Sequence, residues 1–252
     1  MAVRGIDFLR KFTPARIGLG RAGIAQPTAA SLEFMLDHAR ARDAVHVALD
    51  FEAVAEAARA RGWAPAHVKS AAADRAEYLR RPDLGRRLSP SGRSIVGRLP
   101  RGCDVVIVAA DGLSSSAIAG GLLAMLESLR ARLQRRGLKI GPLVLVEQGR
   151  VAIGDEIGEL LDARLALVLI GERPGLSASD SLGAYITWRP RVGTMDSARN
   201  CISNIRAAGL PPGDAANQID ELIGWAFAHS ATGVRLNDLR DHAGDRAGIA
   251  IR

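Results

Sequence analysis

Cysteine, aromatic residues and long apolar runs are scarce in this chain, and each scarcity excludes a class of protein. The two cysteines, Cys103 and Cys201, are too few for a disulfide framework or a zinc cluster. Aromatic residues make up 4% of the chain, too few for a surface that stacks nucleic-acid bases. No apolar run approaches the roughly 18 residues of a membrane span, and the start, MAVRGIDFLRKF, lacks the apolar centre of a signal peptide. We therefore expect a cytoplasmic protein that does not bind a membrane.

Positive charge is in excess, and almost all of it is arginine. The formal net charge is +7, and only Lys11, Lys69 and Lys139 are lysines. The densest basic segment, YLRRPDLGRRLS at residues 78–89, contains Asp83 and has no aromatic residue after Tyr78. Such a segment is more typical of a solvated or partner-facing surface than of a phosphate-binding track. We predict no nucleic-acid partner.

The first 99 residues are predicted to form a small helical domain. Apolar residues recur at helical spacing after Thr28, a residue type that caps helix N-termini. The same period continues in two alanine-rich stretches, so helices are predicted at residues 28–42, 51–61 and 65–79. Prolines and glycines between Pro82 and Pro100 then indicate a loop-rich junction, which places a domain boundary near residue 99.

Residues 100–252 alternate between apolar runs of strand length and helical patterns. Strands are predicted at residues 104–110, 143–147, 165–170 and 184–188, and helices at residues 118–136, 154–163 and 212–229. Strands that alternate with helices pair in parallel through right-handed crossovers. The predicted fold class is therefore α/β, with a doubly wound parallel sheet after the helical domain.

Three of the predicted strands end in a similar way. ADGLSS (110–115), VEQGR (146–150) and IGERPG (170–175) each place an acid near a glycine. Ligands of open α/β sheets bind outside the carboxyl ends of the strands, where glycine permits close approach and acids accept hydrogen bonds. Three such loops on one rim predict a large polar ligand. In the alternative interpretation, Asp111, Ser114 and Asp180 only cap helices.

Residues Gly18–Gly23, GLGRAG, match the dinucleotide-binding pattern G-x-G-x-x-G, and Asp43 lies where a ribose-binding acid is expected. That pattern requires a buried strand before it and a helix that begins at the glycines. The preceding FLRKFTPARI is charged and contains a proline, and Gln26 and Pro27 separate the glycines from the next helix. A nucleotide- or dinucleotide-binding module built on Gly18–Gly23 is therefore the weaker alternative.

No catalytic group stands out from the residues alone. Ser114–Ser116 lack the G-x-S-x-G elbow, there is no P-loop, and the five histidines show no metal-ligand spacing, so no protein-bound metal is predicted. Arg199 and Arg206 could lower the pKa of the Cys201 thiol, although a packing role for Cys201 is the preferred interpretation. The residues alone predict a ligand-binding α/β domain without catalytic residues of its own.

Several segments, in this order, resemble one family. They are ARIGLGRAG, YLRRPDLGRRL, ADGLSSSAI, GRVAIGDEIGE, LIGERPGL and CISNIRAAGLPP, and the resemblance spans about residues 13–235. The sequence resembles the small (light) subunit of adenosylcobalamin-dependent ethanolamine ammonia-lyase, for which GERPGL, CISNI and YLRRPDLGRRL are specific in combination. The resemblance implies a helical N-terminal domain (1–99) followed by a Rossmann-like α/β cobalamin-binding domain (100–252).

The resemblance also implies a cofactor, a partner and site residues. The family's small subunit holds the corrinoid against a large, barrel-shaped subunit that carries the substrate pocket. The family's cobalamin contacts are the valine after GR, the glutamate of GERPG and the cysteine of CISN, which correspond to Val151, Glu172 and Cys201. Cys201 then becomes a ligand contact, through packing or its backbone rather than through thiol chemistry. Because the chain has no D-x-H-x-x-G, base-on binding is expected, in which cobalt keeps the cofactor's own dimethylbenzimidazole.

The implied reaction is the radical deamination of ethanolamine to acetaldehyde and ammonia by a hetero-oligomer. The cofactor supplies the radical chemistry, so no catalytic residue is expected in this chain. The chain starts close to the first family motif, which leaves little room for a leader that sends relatives into bacterial microcompartments, and packaging there stays open. The tail, residues 237–252, lies beyond the resemblance, and both disorder and a partner contact are open for it.

Overall fold

A six-stranded, mostly parallel β-sheet organises the chain, which is described by a computed structural model over residues 7–13 and 15–249. The strands are β1 (Pro65–Lys69), β2 (Val105–Ala110), β3 (Ile140–Glu147), β4 (Leu165–Gly171), β5 (Leu182–Trp188) and β6 (Arg199–Ile205). Their order across the sheet is β1-β3-β2-β4-β5-β6. The pairs among β1 to β4 are parallel, whereas β5 is antiparallel to both β4 and β6. The predicted α/β class is confirmed.

Helices cover both faces of this sheet. They are α1 (Thr28–His46), α2 (Phe51–Arg59), α3 (Arg75–Arg80), α4 (Pro90–Val96), α5 (Ser115–Arg135), α6 (Ile153–Leu160), α7 (Pro212–His229) and α8 (Val234–Ile249). Helices α2, α5 and α7 pack on one face, and α4 and α6 pack on the other. Because successive side chains of a strand point to opposite faces, Ile107 joins the first core and Val106 and Val108 join the second. Burial on both faces explains why β2 is apolar throughout.

Most predicted elements after residue 100 are confirmed, but the prediction that all strands are parallel is wrong. Strands β2 to β5 and helices α5, α6 and α7 fall on the predicted segments, and β6 and α8 were not predicted. The segment between β4 and β5, residues 172–181, contains no helix. Without a crossover helix the chain returns beside β4 in the opposite direction, because an antiparallel pair needs only a short connection.

The prediction of a helix over Pro65–Leu79 is also wrong. Residues Pro65–Lys69 form the edge strand β1, which pairs with β3 and buries Val68. Helix α3 begins only at Arg75, after Asp74 accepts a hydrogen bond of 2.8 Å from the Glu77 N–H. Pairing with β3 outweighs the helical preference of an alanine-rich segment. The junction before residue 100 contains α4 as well, and the domain division at residue 99 stays a prediction.

The N-terminal helix is confirmed, and it lies on the surface. None of the described residues of α1 is buried, and the side chains of Leu32 and Met35 are 61% and 64% exposed. No helix in the described ranges combines the length and apolarity needed to cross a membrane. Residues 1–6, 14 and 250–252, which include the start of MAVRGIDFLRKF and the end of the predicted tail, lie outside the described residues.

Candidate functional site

The loops after β2, β3 and β4 meet at one edge of the sheet. Asp111 accepts a hydrogen bond of 2.7 Å from the Gln148 backbone N–H. The Leu113 N–H donates to the Gly171 carbonyl at 2.9 Å. These bonds join each loop to its neighbour at the carboxyl ends of parallel strands, where α/β proteins bind ligands. The prediction of three loops on one rim is confirmed.

Two glycines of the rim allow the loops to approach each other. Gly112 has φ +58°, and a side chain there would overlap the carbonyl oxygen of Gly171. A side chain at Gly171 would overlap the backbone oxygens of Asp111 and Ser114. Both glycines also line a cavity at this edge, and the prediction that the glycines of the rim bring backbone N–H groups to a ligand stays a prediction.

The capping interpretation of the rim residues is wrong too. Asp111 bonds to the loop after β3 rather than to a helix N-terminus. Ser114 precedes α5, but its hydroxyl donates to the Ser179 carbonyl at 2.6 Å and makes no capping bond. Asp180 precedes a strand, β5, and faces Arg206 at 3.8 Å.

Val151, Glu172 and Cys201 line two adjoining cavities at this edge, which we call together the rim groove. Glu172 lines the larger cavity, of about 420 Å³, and Cys201 lines the smaller cavity, of about 280 Å³. Arg150, Val151 and Tyr185 line both cavities. The structure thus brings together the three residues to which the sequence resemblance points.

The two carboxylate oxygens of Glu172 have different surroundings. Oε2 accepts hydrogen bonds from the Ser181 hydroxyl and from the Asn204 N–H, the latter at 3.1 Å. No described residue donates a hydrogen bond to Oε1, and no described basic group, Arg150 included, forms an ion pair with this carboxylate. Glu172 therefore joins the end of β4 to β5 and β6 while one oxygen remains available to a ligand.

The surroundings of Cys201 raise the pKa of its thiol above the usual value. Cys201 faces Tyr185 across the antiparallel pair of β5 and β6. Desolvation at the groove wall raises the pKa of Cys201, a hydrogen bond with Tyr185 partly lowers it, and the charge of Glu172 raises it. Arg199 and Arg206 bond to other side chains. The interpretation in which these arginines lower the thiol pKa is wrong.

Arg150 and Tyr78, which the sequence did not point out, form part of the groove wall. The Arg150 guanidinium lies 4.3 Å from the centre of the Tyr78 ring, and the Tyr78 hydroxyl donates to the Gly149 carbonyl at 3.0 Å. A Cβ atom at Gly85 would lie 2.7 Å from Arg150 Cγ, so glycine is needed for this packing. Tyr78 and Gly85 are buried, and the prediction that residues 78–89 are a solvated surface is wrong for them. A tyrosine and a glycine within an arginine-rich segment are the sequence signal that could have indicated a buried part of this segment.

A buried ion pair holds the wall of the smaller cavity. The Arg199 side chain, 3% exposed, donates to both carboxylate oxygens of Asp155 at 2.6 and 2.7 Å. It also donates to the Thr187 hydroxyl at 3.1 Å and to Asp196 at 3.3 Å. Arg199 thereby connects α6 with β5 and β6, and its charge is fully compensated.

A third cavity lies at the same edge, toward β1. It has a volume of about 330 Å³, and its lining includes His46, His67, Arg75 and Asp111. Arg75 donates to the Gly112 carbonyl at 2.8 Å and approaches Asp111 at 3.4 Å. Burial raises the pKa of Asp111 to about 6, although the positive charge of Arg75 opposes the shift.

Gly18–Gly23 line none of these cavities. No strand precedes them within described residues 7–13 and 15–17, and α1 begins only at Thr28. The dinucleotide pattern therefore lacks the strand and the helix that it requires. Across the described chain, no three His, Cys, Asp or Glu side chains form a group that could hold a metal ion.

Comparison with known proteins identifies the family. Residues 4–237 match the family model of the ethanolamine ammonia-lyase light chain (EutC). The ethanolamine ammonia-lyase small subunit of Xanthomonas campestris pv. campestris is 51% identical over 237 residues, which cover 92% of this chain and 87% of that protein. The proteins of the same name from Pseudomonas putida (strain W619) and Azotobacter vinelandii are 50% and 51% identical over 234 residues, which cover 91% of this chain and 86% and 87% of theirs. Because the match covers nearly the whole chain, this chain belongs to the ethanolamine ammonia-lyase light-chain (small-subunit) family.

Proposed function

We propose that this chain is the cofactor-holding small subunit of an adenosylcobalamin-dependent ethanolamine ammonia-lyase. One observation carries the proposal: Val151, Glu172 and Cys201, which are far apart in the sequence, line one groove at the carboxyl edge of a mostly parallel sheet. Large polar ligands bind at this edge in α/β proteins.

The rim groove offers the chemistry that a corrinoid requires. Val151, Ile170 and Tyr185 provide apolar surface for the macrocycle. Oε1 of Glu172 can accept a hydrogen bond from a side-chain amide of the cofactor. Arg150 lines both cavities and forms no ion pair with a described acid, so its guanidinium can donate to a cofactor oxygen. No histidine lines either cavity in the described chain, which fits a base-on cobalamin that keeps its own base.

The large subunit is the proposed partner. A corrinoid is larger than either cavity, so part of it would extend beyond this chain. Helix α1 buries none of its described residues, and exposed apolar surface of this kind marks protein interfaces. The α1 segment reaches the same edge, because the Ser115 hydroxyl donates to the Val47 carbonyl at 2.7 Å, directly after α1 ends. The large subunit would then cover both the groove and α1.

The proposed reaction is that of a carbon–nitrogen lyase, which converts ethanolamine to acetaldehyde and ammonia. When bound, adenosylcobalamin supplies the radical that begins the reaction. The residues of this chain bind the cofactor, orient it and exclude water from one side of it, while the substrate pocket belongs to the partner. The finer fold description belongs to the same proposal: a mostly helical domain to residue 99, which contributes β1 to the sheet, and a Rossmann-like cobalamin-binding domain from residue 100 onward.

Co-expression with the large subunit tests the proposal. We expect the two chains to co-purify, the complex to change the absorption spectrum of added adenosylcobalamin, and ammonia to be released from ethanolamine only when both chains and the cofactor are present. Ammonia release by this chain alone would contradict the proposal. Gly18→Ala is the control, since it should leave corrinoid binding intact. A complex that binds NAD or FAD but no corrinoid would favour the Gly18–Gly23 alternative.

A further inference from the structure

Two arginines beside the smaller cavity of the rim groove have no acidic partner. Arg86 and Arg150 both line this cavity, and no described acidic group lies within ion-pair distance of either. Arg81 and Arg87, which belong to the same basic segment as Arg86, are paired with acids at 2.7 and 3.0 Å. Acidic side chains therefore neutralise some arginines of this segment, whereas Arg86, beside the cavity, stays without an acidic partner.

Arg150 is held in place, yet one of its donors is unused. Its guanidinium stacks on the Tyr78 ring, and Nη2 donates weakly to the Tyr78 carbonyl at 3.4 Å. Nε is buried and has no described hydrogen-bond partner. The Arg150 side chain lines both cavities, so its outer N–H groups can reach an acceptor that a ligand supplies there.

The start of α6 adds further donors at the same cavity. Val151 and Ala152 line it, and their backbone N–H groups donate to no described acceptor. No side chain caps this helix, which begins at Ile153. The N-terminus of a helix carries partial positive charge and unpaired N–H groups, both of which attract anions.

The remaining charged side chains at the cavity are one arginine and two aspartates, so they add no positive charge. Arg199 lines it and is paired with Asp155 and Asp196 at 2.6 and 3.3 Å, and Asp196, which is 91% exposed, also lines the cavity and opposes an anion there. The uncompensated positive charge therefore comes from Arg86 and Arg150. Guanidinium groups bind phosphate through two parallel N–H bonds, so a phosphate group is the ligand that fits this arrangement.

We propose that Arg86, Arg150 and the N–H groups of Val151 and Ala152 form a phosphate site that holds the phosphodiester of the cobalamin nucleotide loop. This inference rests on the function proposed above and adds an orientation to it. The nucleotide side of the cofactor lies at the smaller cavity, and the amide groups of the corrin ring lie at the larger cavity, near Glu172.

Titration of the assembled two-subunit complex with three corrinoids tests the site. Cobinamide lacks the nucleotide loop and its phosphate, cobinamide phosphate retains the phosphate, and cobalamin retains the whole loop. Arg150→Met should weaken the binding of cobalamin and of cobinamide phosphate by about tenfold to hundredfold and leave the binding of cobinamide unchanged. Arg150→Lys should restore part of the affinity, because it keeps the charge but loses the planar fork.

Two further variants separate the phosphate site from a loss of folding. Arg86→Met should give a smaller loss with the same ligand selectivity, and its exposed side chain can be removed without disturbing the core, so it carries the test if Arg150→Met does not assemble. Arg81→Met is the matched control, since Arg81 pairs with Asp83 and does not line the cavity. Equal effects on cobinamide and cobinamide phosphate, or no effect on either in folded complexes, would overturn the phosphate site and leave the proposed function standing. A wild-type complex that binds no corrinoid would overturn the proposed function instead.

Discussion

At the scale of single residues, Glu172 combines two tasks that different substitutions can separate. Glu172→Gln keeps an oxygen for Ser181 and Asn204 but presents an amide to the groove. If Oε1 accepts a hydrogen bond from the corrinoid, this variant should lose about 1.5–3 kcal/mol of binding free energy, roughly tenfold to hundredfold in affinity. Glu172→Ala should lose as much and should also lower the melting temperature of the chain without cofactor.

The measurement is a cobalamin titration of each assembled variant beside its melting temperature without cofactor. Unchanged cofactor affinity together with a lowered melting temperature would mean that Glu172 serves only to hold β4, β5 and β6 together. The assignment of Glu172 to the cofactor site would then be wrong.

Asp111 predicts a dependence of stability on pH. Its pKa is raised to about 6 in the folded chain, compared with about 3.9 for an unfolded aspartate. The folded state therefore binds this proton more tightly, so the stability that it contributes is fully present below about pH 4 and is lost as the pH rises through about 6. Between these limits the wild type should lose about 2–3 kcal/mol of unfolding free energy relative to Asp111→Asn.

Urea unfolding of both proteins at several pH values measures this difference. Asp83→Asn is a control of opposite sign, because a hydrogen bond with Arg81 lowers the pKa of Asp83 and any contribution is lost as the pH falls. Parallel pH curves for the wild type and Asp111→Asn would show that burial of Asp111 does not perturb its titration.

The residues of the rim groove differ in how well the sequence alone predicts them. Val151, Glu172 and Cys201 lie in segments whose letters resemble a family, so sequence alone points to them. Arg150 is also in such a segment, but its unused Nε donor depends on burial by Tyr78 and Gly85, which come from a distant part of the chain. A contact between distant segments produces no periodic pattern in the local sequence, so the sequence could not predict the burial of Arg150.

At the scale of elements, the turns after β2 and β4 pack closely against each other at Gly112 and Gly171, and we call them the interlocked turns. Two glycine substitutions test how much this packing stabilises the fold. Gly112→Ala puts a side chain at φ +58° and against the Gly171 carbonyl, so it should destabilise the fold by at least about 2 kcal/mol. Gly120→Ala is the matched control, because a Cβ atom there meets nothing within 4 Å and the residue lies inside α5. It should stabilise the chain by about 0.5–1 kcal/mol through helix propensity. Equal free energies of unfolding for the two variants would contradict the interlocked turns.

Whether an element can be predicted depends on how much of its environment is local. β2 and β4 are apolar at every position because both faces are covered, and this pattern is unambiguous. β1 is short and lies at the sheet edge with Val68 as its one fully buried residue, so its alanine-rich surroundings favoured a helix. β6 contains Asn200, Ser203 and Asn204, and it becomes a strand only through its pairing with β5.

At the scale of the whole molecule, the rim groove and the carboxyl-terminal end of α1 lie at the same edge of the sheet. The rim groove opens at this edge, and the Val47 carbonyl that follows α1 is bonded to the start of α5 at the same edge. Helices α5 and α7 bury their apolar residues against the sheet, whereas α1 leaves its apolar residues exposed. A second chain that covers this edge would therefore come close to the carboxyl-terminal end of α1.

The exposed apolar side chains of α1 predict where assembly can be weakened without altering the groove. Replacing both Leu32 and Met35, which are 61% and 64% exposed, by Asp should weaken association with the large subunit by at least about tenfold, because each side chain would gain about 1.5–3 kcal/mol from burial in an interface. The melting temperature of the isolated chain should not change, since neither side chain belongs to its core. Glu33→Gln, on the same exposed helix, is the control and should assemble normally.

Sedimentation of mixtures of the two subunits measures the association, and a cobalamin titration follows at two concentrations of the large subunit. At a limiting concentration the double variant should bind cobalamin weakly, and at a saturating concentration it should reach the wild-type affinity, because Val151, Glu172 and Cys201 are unaltered. Normal assembly of the double variant would mean that the partner lies elsewhere, and a lowered melting temperature would mean that α1 stabilises the isolated chain instead.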